Sequence, residues 1–156
     1  MSNMELTRVI NAPVEKVWKA WTDGEMVKKW WGPAGFTCPV AKMDVKEGGT
    51  SLVCMRAPKE FGGMDIYNTW TYATVVPNER LEYILRFSDK DGNPLDPAQM
   101  GLQGVPKEVP HTVTFVEKDG KTTVKIVEEG YTGDQVVEQS RQGMDQCFDK
   151  MEAIFA

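Results

Sequence analysis

Gly133-Asp134-Gln135-Val136-Val137-Glu138-Gln139-Ser140-Arg141-Gln142-Gly143-Met144-Asp145-Gln146-Cys147-Phe148-Asp149-Lys150-Met151-Glu152-Ala153-Ile154-Phe155 stands near the C-terminus and sets the problem that the other segments must solve. Val137, Ser140, Met144, Cys147, Met151 and Ile154 recur every three or four residues, and Val136, Phe148 and Phe155 widen the stripe. This spacing predicts one long amphipathic helix with a single apolar face to bury. Asp134 near its start and Lys150 near its end suit the helix dipole.

The upstream segments supply a sheet to cover that face. Phe36–Val45, Thr50–Arg56, Ile66–Val76, Leu81–Phe87, Val109–Glu117 and Thr122–Glu129 are rich in β-branched and aromatic residues and read as strands. Glu47-Gly48-Gly49, Pro77-Asn78 and Lys118-Asp119-Gly120 supply turn chemistry between them. Met4–Ile10 reads as an earlier strand. After it, Pro13 opens a helix carrying Val14, Val17, Trp18 and Trp21 on one side. Asp23-Gly24 breaks that helix, and Glu25–Trp31 forms a second short one, stopped by Gly32-Pro33. Strands joined by short turns must pair antiparallel. The expectation is an α+β domain: an antiparallel sheet of about seven strands curled around the C-terminal helix, with two short helices after the first strand.

Composition narrows the function. A chain of 156 residues, 41% hydrophobic and 26% charged, is the size of one globular domain over residues 1–156. Eighteen basic against twenty-three acidic residues give a net charge of −5, which argues against a nucleic-acid partner. No apolar run reaches the roughly eighteen residues that a membrane span needs. The start lacks the basic and apolar regions of a secretion signal. Cys38, Cys54 and Cys147 are widely spaced with no Cys-x-x-Cys pair, and read as reduced thiols in a cytoplasmic protein. His111 is the only histidine, and no metal-ligand spacing surrounds it, so neither a metal nor another cofactor is expected.

Residues 88–110 break the pattern. These twenty-three residues hold three glycines and four prolines with little periodicity, yet Met100, Leu102 and Val105 need apolar neighbours. They read as a flap across one end of the curled sheet, with Gly101 and Gly104 as hinges. Asp89-Lys90-Asp91-Gly92-Asn93 superficially resembles a calcium loop, but its glycine arrives early and no bidentate glutamate follows. A turn explains it better.

Ala12-Pro13, Val17-Trp18, Trp21, Trp30-Trp31 before Gly32-Pro33, Gly48-Gly49, and Pro77 with Glu79-Arg80-Leu81 stand in an order that resembles one family. It is that of the activator of heat-shock protein 90 ATPase homologues, within the START-like (SRPBCC, birch-pollen-allergen-like) superfamily. The resemblance covers nearly the whole chain. It implies a helix-grip fold, in which the sheet wraps the C-terminal helix and leaves a cavity between, and it implies a chaperone as a candidate partner. Two departures stand out. Gly143-Met144 replaces the Gly-Trp that the family commonly carries in this helix, and the separate amino-terminal domain of the named co-chaperone is expected to be missing.

Alternation sorts the strand residues into faces. Thr122, Val124, Ile126 and Glu128 share one, as do His111, Val113 and Phe115. Ser51, Val53 and Met55 form a third set, and Leu81, Tyr83, Leu85 and Phe87 a fourth. Trp70 and Tyr72 share a face with Asn68 and Thr74, but alternation does not say which face of that strand points inward. The candidate polar groups of a small-molecule site are Tyr72, Tyr83, His111 and Glu128. Its candidate walls are Trp30, Phe36, Met55, Trp70, Phe87, Phe115, Met144 and Phe148. No nucleophile motif or phosphate loop is present, and no catalytic residue is assigned. The leading expectation is a module that binds a small hydrophobic molecule. The alternatives are a cyclase- or hydrolase-type enzyme using Glu128 with His111 or a tyrosine, and a domain that contacts a chaperone through its outer sheet face.

Overall fold

Hairpins dictate the topology. In the computed structural model, which describes residues 2–156, the chain runs β1 (Ser2–Ile10), α1 (Val14–Thr22), α2 (Gly24–Trp30), β2 (Thr37–Lys42), β3 (Thr50–Arg56), β4 (Asp65–Val76), β5 (Arg80–Ser88), β6 (Val109–Lys118), β7 (Lys121–Tyr131) and α3 (Asp134–Ile154). The strands form one seven-stranded sheet in the order β1-β7-β6-β5-β4-β3-β2. Every strand from β2 to β6 pairs antiparallel with its successor, and β1 closes onto β7. Helices α1 and α2 therefore carry the chain from one sheet edge to the other. The curved sheet grips α3 on its concave side, the α+β helix-grip arrangement that the sequence predicts.

Local chemistry explains the joints. Asp23 ends α1 and starts α2: its N–H bonds the Lys19 carbonyl while its side chain accepts from the Glu25 amide at 3.3 Å. Asp119 (φ 56°) and Gly120 (φ 78°) both take the left-handed region that a tight two-residue hairpin requires. Strand β2 stops at Lys42 rather than Val45, because the Asp44 amide turns away to the Ser51 hydroxyl at 3.0 Å.

Two bulges re-aim side chains. In β4 one extra residue, Ala73, stands between Tyr72 (opposite Tyr83) and Thr74 (opposite Glu82). Asn68, Trp70 and Tyr72 face inward and are buried, which answers the open question about this strand. Thr74 does not share their face. Past the bulge it turns outward to Glu82 (Oγ1 to Oε1, 3.1 Å), and Val75 packs on the core in its place. In β7 the pairs Met4–Glu128 and Ser2–Tyr131 leave three steps on β7 against two on β1, and Gly130 (φ 94°) absorbs the surplus.

Indoles fill one half of the interior. Trp21 packs against Trp30 (4.6 Å between ring centroids), Phe115 (6.2 Å), Phe148 (6.3 Å) and Trp70 (6.4 Å). Trp21, Trp30, Trp70 and Phe148 are fully buried. Lys150 has a different role from capping its own helix: its Nζ donates to the carbonyls of Gly32 (2.8 Å) and Phe36 (2.9 Å) and ties the α2–β2 loop to α3. Arg8 on β1 anchors the opposite flank through Asp145, Asp149 and Glu152 of α3. Among the described residues no helix is long and apolar enough to cross a membrane, and no group of three or more metal-ligating side chains occurs.

Candidate functional site

Beneath the N-terminal half of α3 the interior is hollow. A cavity of about 290 Å³ lies between Val136, Gln139, Ser140, Gly143, Met144 and Cys147 of α3 and one end of the sheet. Its sheet side is built from cross-strand neighbours: Asn68 opposite Phe87, Leu85 opposite Val109, and His111 opposite Glu128. Met55 and the turn Trp31-Gly32-Pro33 complete one wall, and Leu102 and Val105, from residues 88–110, complete another.

One wall is polar. His111 and Glu128 are each 5% exposed, with Nε2 and Oε2 3.3 Å apart. His111 Nδ1 lies 2.9 Å from the Val109 carbonyl. A carbonyl only accepts, so Nδ1 carries a proton and Nε2 is left to face the carboxylate. Glu128 Oε1 accepts from the Tyr131 hydroxyl at 2.5 Å and from the Ser140 hydroxyl. Burial alone would push the Glu128 carboxyl up. The charge of His111 and the hydrogen bonds from His111, Ser140 and Tyr131 outweigh it and hold the group below the ordinary carboxylate range. The pair therefore sets His111 Nε2 against a buried carboxylate that two hydroxyls also hold. Behind it His111, Tyr83 and Trp70 stack in sequence, 5.0 Å between successive rings. Desolvation raises the Tyr83, Tyr72 and Tyr131 phenols, so all three stay protonated donors.

Of the twelve side chains that the sequence nominates, Met55, Phe87, His111, Glu128 and Met144 line this cavity. Trp70, Tyr72, Tyr83 and Phe115 share the inward face but stand further along their strands, where the interior is packed. Trp30 and Phe148 lie in the indole cluster, and Phe36 sits on the α2–β2 loop outside the cavity wall. Tyr72 bonds Ser51 at 2.8 Å, a structural contact. Tyr131, Ser140, Asn68 and Trp31 line the cavity without having been nominated. The Gly130 bulge hides Tyr131 from a two-residue count, whereas Ser140 is visible as the polar member of the α3 stripe. The indole N–H of Trp31 has no partner among the described residues.

The chemistry available here is limited. Cys147 lines the cavity, but burial pushes its thiol up to about 12, and Cys38 to about 11, so neither is a thiolate at neutral pH. Both His111 nitrogens are engaged, leaving none to activate a nucleophile. The calcium-like run is a turn: Asp89 Oδ1 accepts from the amides of Asp91 and Asn93, each at 2.9 Å.

The model of the family described as activator of Hsp90 ATPase homolog 1-like protein matches residues 11–156. The chain belongs to that family. Solved structures place it within the START-like fold. A Chromobacterium violaceum protein, 26% identical, superposes with a TM-score of 0.77 over 99% of this chain and 97% of its own. A Mycobacterium smegmatis protein, 23% identical, gives 0.78 over 99% and 90%. A Silicibacter pomeroyi protein bearing the same family name, 17% identical, gives 0.74 over 99% and 97%. No curated protein matches the sequence.

Proposed function

We propose that this family member binds a small, largely apolar molecule in the cavity beneath α3. The carrying observation is that about 290 Å³ of space is bordered mainly by apolar side chains while its one ionic group is already compensated. At about 24 cal/mol per Å³ a dry void of that size would cost about 7 kcal/mol. A domain of this length has only about 5–15 kcal/mol of stability. Space on that scale is filled by water or by a ligand. Gly143 points the same way: a glycine inside a helix costs roughly 0.5–1 kcal/mol against alanine. A Cβ here would meet no atom within 4 Å, so packing does not explain the glycine, whereas room in the cavity does. Residues 88–110 act as the lid, with Leu102 and Val105 as its inner surface. Native mass spectrometry of freshly purified protein, with a thermal-shift screen of apolar aromatics and lipids, tests the reading. A co-purified species or a shift is expected; neither appearing would refute it.

The buried Glu128–His111 pair favours one second reading, acid–base catalysis on a bound aromatic or polyketide-like substrate. It requires Glu128→Gln to abolish turnover in protein that remains folded. The chaperone relation in the family name has less support: the outer sheet face exposes only valines, Val9, Val76 and Val116, among its larger apolar residues. Three buried free cysteines suit a reducing compartment.

A further inference from the structure

The polar wall also constrains the charge of whatever enters. An ionised carboxylate offers about four lone-pair directions. Glu128 uses three: Oε1 accepts from Tyr131 and Ser140, and Oε2 faces His111 Nε2. Its remaining capacity is on Oε2. Asn68, 2% exposed and also on the cavity wall, donates through Nδ2 to the Tyr67 carbonyl at 3.1 Å, and no group among the described residues donates to its Oδ1. The site thus has acceptors to spare. It has no spare cation: neither lysine nor arginine lines the cavity, and the His111 ring is committed to Glu128 and to the Val109 carbonyl. The unpartnered N–H of Trp31 is a neutral donor and compensates no charge.

We propose that the cavity selects a neutral aromatic molecule bearing a hydroxyl group, which donates to Glu128 or Asn68 while its ring lies against Trp31, Phe87 and Met144. This rests on the ligand-binding reading above. An anionic ligand would lose its hydration and meet a carboxylate with no cation free to pair with it. A cationic ligand would have to take Oε2 from His111, whose buried Nε2 has no other partner among the described residues. A neutral hydroxyl adds a charge-assisted hydrogen bond and disturbs neither partner. The flanking Trp31, Phe87 and Met144 suit a ring, since methionine sulfur and aromatic faces make favourable contacts. The size is also bounded. A cavity of about 150 Å³ accommodates benzene, so about 290 Å³ fits two fused rings.

Four probes of one shape test this: naphthalene, 2-naphthol, 2-naphthoate and 2-naphthylmethylamine, titrated at pH 7 by calorimetry or by quenching of tryptophan emission. Naphthalene should bind, 2-naphthol about tenfold more tightly, and both charged probes at least about a hundredfold more weakly than 2-naphthol. Glu128→Gln should reduce the advantage of 2-naphthol over naphthalene, read as the ratio of the two affinities within the same variant. Asn68→Ala serves the same comparison should the first variant fail to fold. Naphthalene binding with the carboxylate or the amine equal to 2-naphthol would overturn the selectivity and leave the cavity reading standing. Failure of all four probes to bind would overturn the aromatic selectivity, while the cavity reading is decided separately by the co-purified species and the lipid screen.

Discussion

The two halves of α3 face the same sheet and meet opposite interiors. Along the C-terminal half, Phe148 and Met151 are fully buried against a cluster of indoles. Along the N-terminal half, Gly143 and Met144 border open space, and Ser140 at its edge bonds Glu128 directly. The backbone architecture does not differ between them; side-chain volume does. Trp21, Trp30 and Trp70 fill one end, whereas Trp31, Phe87 and Tyr131 at the other stand on the walls and leave the space between them open. A helix-grip sheet wraps its helix with room to spare, and in this chain three fully buried indoles close that room at one end only. Stability should therefore reside mainly in the packed half, and specificity in the hollow one.

That division predicts a graded series of responses. Trp21→Ala, in the packed half, should cost about 3–5 kcal/mol in chemical denaturation. Glu128→Ala should cost about 3 kcal/mol, because it removes the acceptor that the buried Tyr131 and Ser140 hydroxyls and His111 Nε2 share. The pH dependence has a fixed sign. The folded-state carboxyl lies below its ordinary value of 4.5, so its contribution is present above that value and lost as pH falls through the folded value. The unfolding temperature should therefore drop on acidification below about pH 4.5, and by less in the Glu128→Ala variant. Phe87→Ala, on the cavity wall, should cost only about 2 kcal/mol, since one side of the ring already lacks neighbours. Gly143→Ala should stabilise by about 0.5–1 kcal/mol through helix propensity. A loss at Phe87 equal to that at Trp21, measured in the same denaturation series, would erase the contrast between the halves.

Much of this was legible in the sequence. Alternation assigned the inward faces of β3, β5, β6 and β7, and the helical stripe identified the side of α3 that they cover. Alternation could not orient β4, because Trp70 and Tyr72 on one side are matched by Tyr67, Thr69 and Thr71 on the other, and nothing local ranks the two. It also gives a face and not a height along the strand. Trp70, Tyr83 and Phe115 point inward as expected, yet stand at the filled end; Phe87, His111 and Glu128 stand at the open one. The register across the hairpins fixes that height, through pairs such as Asn68–Phe87 and His111–Glu128. Tyr131 escaped because one bulged glycine shifts the count by a single residue.

Xenon tests the hollow half most directly, because it enters apolar cavities without needing the right ligand. Diffraction from crystals held under xenon pressure should show a peak between Phe87, Val109 and Met144, with the indole cluster undisturbed. A peak absent there, with Leu102 or Met144 folded inward to occupy the space, would contradict the division of the interior into a filled end and an open one.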